Sequence, residues 1–259
     1  MEAIKTHITS PKQRLIKTYV CEGCNRTVEQ KELEIPIGPH KGEVILANYG
    51  CKCADIKLAE ESKRIREQLK KEKMEQFFDT YSLINKSLHE ATLENYQPTS
   101  EELTKAKQAI TSYIQGFDGT ENLLLHGNYG TGKSHLSVSV TKKLMAKGYE
   151  CLFLSLPKLL TKIKETYNNK GITEDELLEV IQHVDLLVLD DIGAEHHTEW
   201  VNAKLFEILD DRAGKATIYT TNLDSKELKT RVNERNFSRM MENTKIIKMN
   251  GKDYRRKEF

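Results

Sequence analysis

Eight residues, Gly127-Asn128-Tyr129-Gly130-Thr131-Gly132-Lys133-Ser134, limit what this chain can fold into more than any other stretch. They follow the apolar run Leu123-Leu124-Leu125 and precede Leu136, Val140 and Leu144, which are spaced for one helix face. The pattern is G-x-x-x-x-G-K-S between a strand and a helix, the context in which it cradles phosphate. Glycines let backbone N–H groups close around phosphate oxygens where a side chain would obstruct them. The helix that starts there adds its positive dipole end. Lys133 would reach the β- and γ-phosphates as a point charge, Ser134 would give its hydroxyl to Mg2+, and His135 closes the cofactor-binding set. A chance glycine-rich turn would not match every fixed position in that slot, so the expectation is bound ATP or GTP.

The segments around this loop alternate between helix and strand signals. Thr99-Ser100-Glu101-Glu102 reads as a capping box that opens a helix over 100–115, ending before Gly116. Beyond Gly148 comes a strand, Cys151-Leu152-Phe153-Leu154, in which Cys151 is a small buried apolar residue. Pro157 opens a helix carrying Leu159, Leu160, Ile163 and Tyr167, and a second capping box, Thr173 to Glu176, opens another. Leu186-Leu187-Val188-Leu189 is the continuous apolar run of a central parallel strand. A helix over 198–212 leads to one more strand, Ala216 to Asn222. This order predicts an α/β fold, a three-layer α/β/α parallel sheet with ligands at the carboxyl ends of its strands.

Asp190 and Asp191 stand at such an end. Asp190 would hold Mg2+ through water, and Asp191 would orient or deprotonate the attacking water. Acidic pairs often only start turns, but a pair directly after four buried apolar residues in a phosphate-loop chain favours catalysis. The strand at 151–154 separates the phosphate loop from these aspartates in sequence, and ATPases with a water-activating acid often insert a further strand between the two. Asn222 ends its strand where a polar side chain would touch the γ-phosphate or the water; its plain alternative is a capping turn shared with Asp224. His196 and His197 are neighbours on a helix, do not converge on one metal, and read as solvent-exposed.

The first part of the chain has another chemistry. Cys21 and Cys24 form one close pair and Cys51 and Cys53 a second, with strand and turn residues between. Tight turns at each pair would aim four thiolates at one Zn2+, as in a zinc ribbon, and metal would supply stability that so little apolar content cannot. His40 reads as solvated. Ala54 to Gln76 carries 13 charged residues in 23 and reads as a long helix with a narrow stripe, Ile56, Ala59, Ile65, Leu69 and Met74, either connecting or partner-binding. Phe77, Phe78, Tyr81, Leu83 and Ile84 are apolar enough to dock onto a domain. The division is a zinc-binding module over 1–53, a charged linker over 54–90 and the nucleotide domain over 91–259.

Forty basic against 39 acidic residues argue for no polyanion partner overall, although Lys226 to Phe259 holds 11 basic and 5 acidic residues. No apolar run is long enough for a membrane span, and no export signal is evident, so the expected location is the cytoplasm with its cysteines reduced.

Gly127–Ser134, Asp190-Asp191-Ile192-Gly193, Thr220-Thr221-Asn222, Arg235 with Ser238-Arg239, and Asp253-Tyr254-Arg255 occur in an order that resembles the AAA+ ATPases of the DnaC/DnaI helicase-loader type and their IstB relatives. The resemblance covers about residues 91–259. It implies that Asn222 is sensor 1, Arg239 an arginine finger toward a neighbouring subunit, and Arg255 sensor 2, with Arg235 and Arg256 as second candidates. It implies an ATP-dependent, Mg2+-requiring loader that binds a hexameric DnaB-type replicative helicase and single-stranded DNA, and self-associates through its ATPase domains. The DNA contact would fall on Lys158–Lys170, with Lys162, Lys164 and Lys170 on phosphates and Tyr167 stacking. The alternative within the resemblance is a transposase-helper ATPase on duplex DNA. A cysteine-rich module favours the loader.

Overall fold

The structure, a computed structural model, describes residues 13–166 and 173–254. The chain divides into two compact units, one through Leu69 and one from Lys70 onward.

In the first unit, β1 (Gln13–Val20), β2 (Thr27–Glu34) and β3 (Val44–Tyr49) form an antiparallel sheet in that order. Its side chains are mostly exposed, with Val28 alone fully buried among the described residues. Helix α1 (Cys53–Tyr81) begins in this unit and ends in the second. It runs past the expected end at 76, and its apolar residues do not make a stripe. At about 100° per residue, Ile65 lies on the opposite side from Ile56. Ile56, Ile65 and Leu69 are all exposed.

The second unit is built on a five-stranded parallel sheet: β4 (Asn122–His126), β5 (Cys151–Ser155), β6 (Leu186–Asp190), β7 (Thr217–Thr221) and β8 (Thr244–Lys248), in the spatial order β5-β6-β7-β4-β8. Strand β8 was not foreseen. Thr-Lys-Ile-Ile-Lys is short and charged at an edge, and it carries only Ile247 inward. Strand alternation sends Leu123, Leu125, Phe153, Val188 and Ile218 to one face of the sheet, and Leu124, Leu152, Leu154, Leu187 and Tyr219 to the other. Helices α2 (Glu101–Gln115) and α3 (Lys133–Ala146) cover the first face. The other face is covered by α4 (Leu156–Thr166), α5 (Glu174–His183), α6 (Glu199–Asp211), α7 (Ser225–Val232) and α8 (Glu234–Met241). The result is the expected α/β/α arrangement.

Caps follow the sequence with one shift. Thr173 and Glu176 form their capping box, but α2 is capped by Ser100, whose side chain accepts from Leu103 N; Glu102 instead accepts from Asn250 N at 3.0 Å. The last turns of α1 belong to the core: Phe78 is buried in one cluster, while Phe77, Tyr81 and Leu83 pack against the other. Leu83 N donates to Phe153 O and Phe153 N to Ser82 Oγ, so this segment seals the outer edge of β5.

Candidate nucleotide-binding site

A cleft of about 760 Å3 opens at the carboxyl ends of the strands. On one side run Tyr129 to His135; on the other stand Asp191 to Ala194, with Asn222 and Leu223. Leu88, Tyr96, Gln97, Thr99 and Leu103 close a third wall, and Lys252 and Tyr254 a fourth. Spatially, β7 lies between the loop strand β4 and the aspartate strand β6, which explains how Asn222 reaches the cleft.

The loop is shaped by the chain around it. Gly127, Gly130 and Gly132 all have positive φ, and all three face close neighbours, Gly127 the Met249 carbonyl. A Cβ on Gly132 would stand 2.5 Å from the Tyr96 ring, and one on Gly130 would overlap Asp253. Tyr96 donates its hydroxyl to Thr131 O at 2.8 Å, Tyr254 N donates to Gly130 O at 3.1 Å, and Met249 N donates to His126 O at 2.8 Å. The residues after β8 therefore strap the loop from outside, a role that nothing in their sequence announced. Lys133 is buried and folds back, donating to Gly127 O at 2.8 Å and Asn128 O at 2.7 Å. Its ammonium thus lies over the hollow of the loop, where phosphate oxygens would replace those carbonyls. His135 lines the cleft with its ring held to Thr92 O at 2.9 Å, and Tyr129 is exposed.

Opposite, Asp190 is 4% exposed and accepts from Thr220 Oγ1 at 2.7 Å. Burial, with the adjacent Asp191 charge second, pushes its carboxyl up to about 6; hydrogen bonds from Thr220 and Ser134 and the Lys133 charge pull the other way. The Ser134–Asp190 contact joins the two proposed Mg2+ ligands. A hydroxyl and a carboxylate beside the loop lysine are hard oxygen donors suited to that ion. Asp191 has the left-handed φ of 59°, and its N–H donates to Thr220 Oγ1 at 2.9 Å. Thr220, wholly buried, thus serves both aspartates; a threonine inside a strand gave no signal of this. Asn222 does not cap α7, which is capped by Asp224 in a capping box with Glu227.

Arg235 and Arg239 lie on α8 and do not line the cleft of their own chain. The Arg235 guanidinium stacks on Phe206 at 3.6 Å, and one turn on Arg239 pairs with Asp210 at 2.8 Å and Glu242 at 3.5 Å. Glu234 pairs with Lys229 instead. Arg255 and Arg256 lie outside the described residues, as do Tyr167 and Lys170. Of the other candidate DNA contacts, Lys158 bonds to Asn85 at 2.7 Å, Lys162 pairs with Glu165 at 3.8 Å, and Lys164 lies 4.8 Å over Trp200. His196 and His197 are exposed, and His40 contacts Glu43.

In the first unit the Sγ atoms of Cys21, Cys24, Cys51 and Cys53 all lie within 4.8 Å of one another. Cys21 Sγ is 3.8 Å from Cys51 Sγ and 3.5 Å from Cys53 Sγ. Tetrahedral Zn–S bonds of about 2.3 Å place sulfurs about 3.8 Å apart, so the residues fit zinc. The turn after Cys21 aims two backbone N–H groups, from Cys24 and Gly23, at its sulfur and lowers its pKa to about 6. Hydrogen bonds with the other cysteines, Cys21 first, push Cys53 up to about 12. The backbone N–H of Lys52 lowers Cys24 as well, so it is at Cys53 that a thiolate needs a cation beside it. Gly23 leaves room, since a Cβ there would stand 2.8 Å from Cys53 Sγ. No helix among the described residues is long and apolar enough to cross a membrane.

Comparison with known proteins adds three findings. The model of the family described as IstB-like ATP binding protein matches residues 53–259. The replicative helicase loader DnaC of Buchnera aphidicola (subsp. Baizongia pistaciae) is 31% identical over 171 residues, 64% of this chain and 70% of that protein, and DnaC of Escherichia coli K12 is 29% identical over 172 residues, 65% and 69%. A crystal structure of the DnaC helicase loader superposes with a TM-score of 0.59 at 25% identity, covering 64% of this chain and 99% of that one. The family match leaves residues 1–52, with Cys21, Cys24 and Cys51, outside it.

Proposed function

The chain belongs to the IstB-like ATP-binding family and to its DnaC-type replicative helicase loaders, and we propose that it uses ATP to place a hexameric DnaB-type replicative helicase on single-stranded DNA. The observation that carries the nucleotide part is the cleft of about 760 Å3, where a glycine loop with a buried lysine faces Asp191 and the buried Asp190 touches Ser134 of the loop. Lys133 would bind the β- and γ-phosphates, Ser134 and Asp190 would hold Mg2+, and Asp191 would orient the attacking water under Asn222. Bound Mg2+ supplies charge neutralisation at the phosphates; the positioning is done by the chain.

Hydrolysis needs a further cation at the γ-phosphate. Arg239 and Arg235 point at their own α6, so they would serve a neighbouring subunit, and Arg255 would serve in its own. Arginine fingers are worth about 10³–10⁵ in rate in other NTPases, so turnover should be slow until subunits meet. Single-stranded DNA would meet the α4 region, whose lysines would exchange their internal partners for phosphates. The four-cysteine module, zinc-bound, and the exposed arm of α1 would hold the helicase, which is also what favours loading over transposition.

Pull-down with a replicative helicase ring, comparing the full chain with one that starts at Lys70, tests the division of labour. Cutting at Lys70 rather than Ala91 keeps Phe77, Phe78 and Tyr81 in their core. The expected result is ATP binding by both and ring capture by the full chain alone; equal capture by the shorter chain refutes the assignment of the module.

A further inference from the structure

The turn that carries Asp191 is held from two sides, and only one of them is the neighbouring strand. Strand β7 holds the first three peptides: Asp191 N bonds to Thr220 Oγ1, Ile192 N to Thr220 O at 2.9 Å, and Thr221 Oγ1 donates to Ile192 O at 2.7 Å. The N–H and C=O of Gly193 itself are bonded elsewhere. Its N–H donates to Glu195 Oε2 at 2.9 Å, and its C=O accepts from Arg231 Nε at 3.0 Å. Gly193 has a φ of 91°, and a Cβ there would stand 2.4 Å from Leu223 Cδ1, so the residue is pressed into place as well as bonded.

We propose that Glu195 and Arg231 are positioning residues for hydrolysis, clasping the Gly193 peptide so that Asp191 keeps its left-handed conformation and faces the cleft; this rests on Asp191 being the water-orienting acid. Three observations support it. A non-glycine residue at φ 59° costs about 1–3 kcal/mol and persists only where its surroundings over-determine it. Glu195 is 7% exposed and burial raises its pKa, so this carboxylate is held where it is costly to keep. Arg231 sits on α7, between the strand end bearing Asn222 and the helix α8 bearing Arg235 and Arg239.

The experiment uses the full chain with Glu195→Gln, Glu195→Ala, Arg231→Ala and, as reference, Asp191→Asn. MgATP turnover is measured beside the affinity for a fluorescent ATP analogue. Glutamine still offers an acceptor to Gly193 N, so Glu195→Gln should keep turnover. Glu195→Ala and Arg231→Ala should lose kcat on the order of 10²-fold, the cost of misplacing a reacting group by an ångström, with analogue affinity unchanged because the phosphate loop is untouched. Arg231 is exposed, so its variant folds even if Glu195→Ala does not. Normal kcat in Arg231→Ala, or affinity falling in step with kcat, overturns the proposal while Asp191→Asn is dead. An active Asp191→Asn overturns the reading of Asp191 itself, a separate failure.

Discussion

Replacing Thr220 by valine keeps the shape of the side chain and removes one hydroxyl, yet the consequences should reach Mg2+ binding. That hydroxyl donates to Asp190 Oδ1 at 2.7 Å and accepts from Asp191 N at 2.9 Å, with no exposure to water. A hydrogen bond to a charged group contributes about 1.5–3 kcal/mol. It favours the ionised carboxylate, so its loss raises the Asp190 pKa by about one to two units at 1.36 kcal/mol per unit. From about 6 in the native chain, the value moves to about 7–8. The proton competes with Mg2+ for this carboxylate, so MgATP hydrolysis falls as pH drops through the free-enzyme pKa. The acid limb of kcat/KM reports that pKa. Measured across pH 5–9, the limb should lie near 6 in the native protein and shift upward by about one to two units in Thr220→Val. The sign for stability is opposite to that of an ordinary ion-paired aspartate. A carboxyl raised on folding binds its proton more tightly in the native state, so its contribution to stability is greatest at low pH and is lost as pH rises between its unfolded value of 3.8 and about 6. Superimposable acid limbs for the two proteins would refute the role of Thr220.

The other expectations concern the two units separately. Metal analysis should find one zinc per chain, and chelation should abolish the ordered structure of the three-stranded sheet while ATP-analogue binding persists; a metal-free chain with native amide protection in β1–β3 would contradict this. Phe78→Ala should destabilise the second unit by about 3–5 kcal/mol, read as a lower urea midpoint, because it opens a cavity in a buried cluster. An unchanged midpoint would mean that α1 is not part of that core.

What the sequence made legible was whatever is written in local pattern. The phosphate loop, the apolar run into Asp190 and the Thr173 cap each depend on residues adjacent in the chain, and each forms as read. What escaped was written across distance. Strand β8 has too few apolar positions to stand out, and it is a strand because β4 offers it a ladder. Glu102 looked like half of a capping box, but Asn250 N, far along the chain, recruits it. The roles of Thr220, Glu195 and Arg231 depend on which strand lies beside β6, a matter of topology. The two sets of sulfurs converge as their spacing suggested, whereas the supposed stripe of α1 dissolved once its residues were set on a helical period.

Strand β4, which delivers the phosphate loop, has no early companion. Leu123 pairs with Ile218 on one side and Lys245 on the other, each roughly a hundred residues further along the polypeptide. The strand that begins the nucleotide cradle must therefore wait for nearly all of the remaining ribbon before its ladder closes. During synthesis, a nascent chain would expose Leu123, Leu124 and Leu125 long before it could hold a phosphate, so chaperone demand should peak in that interval.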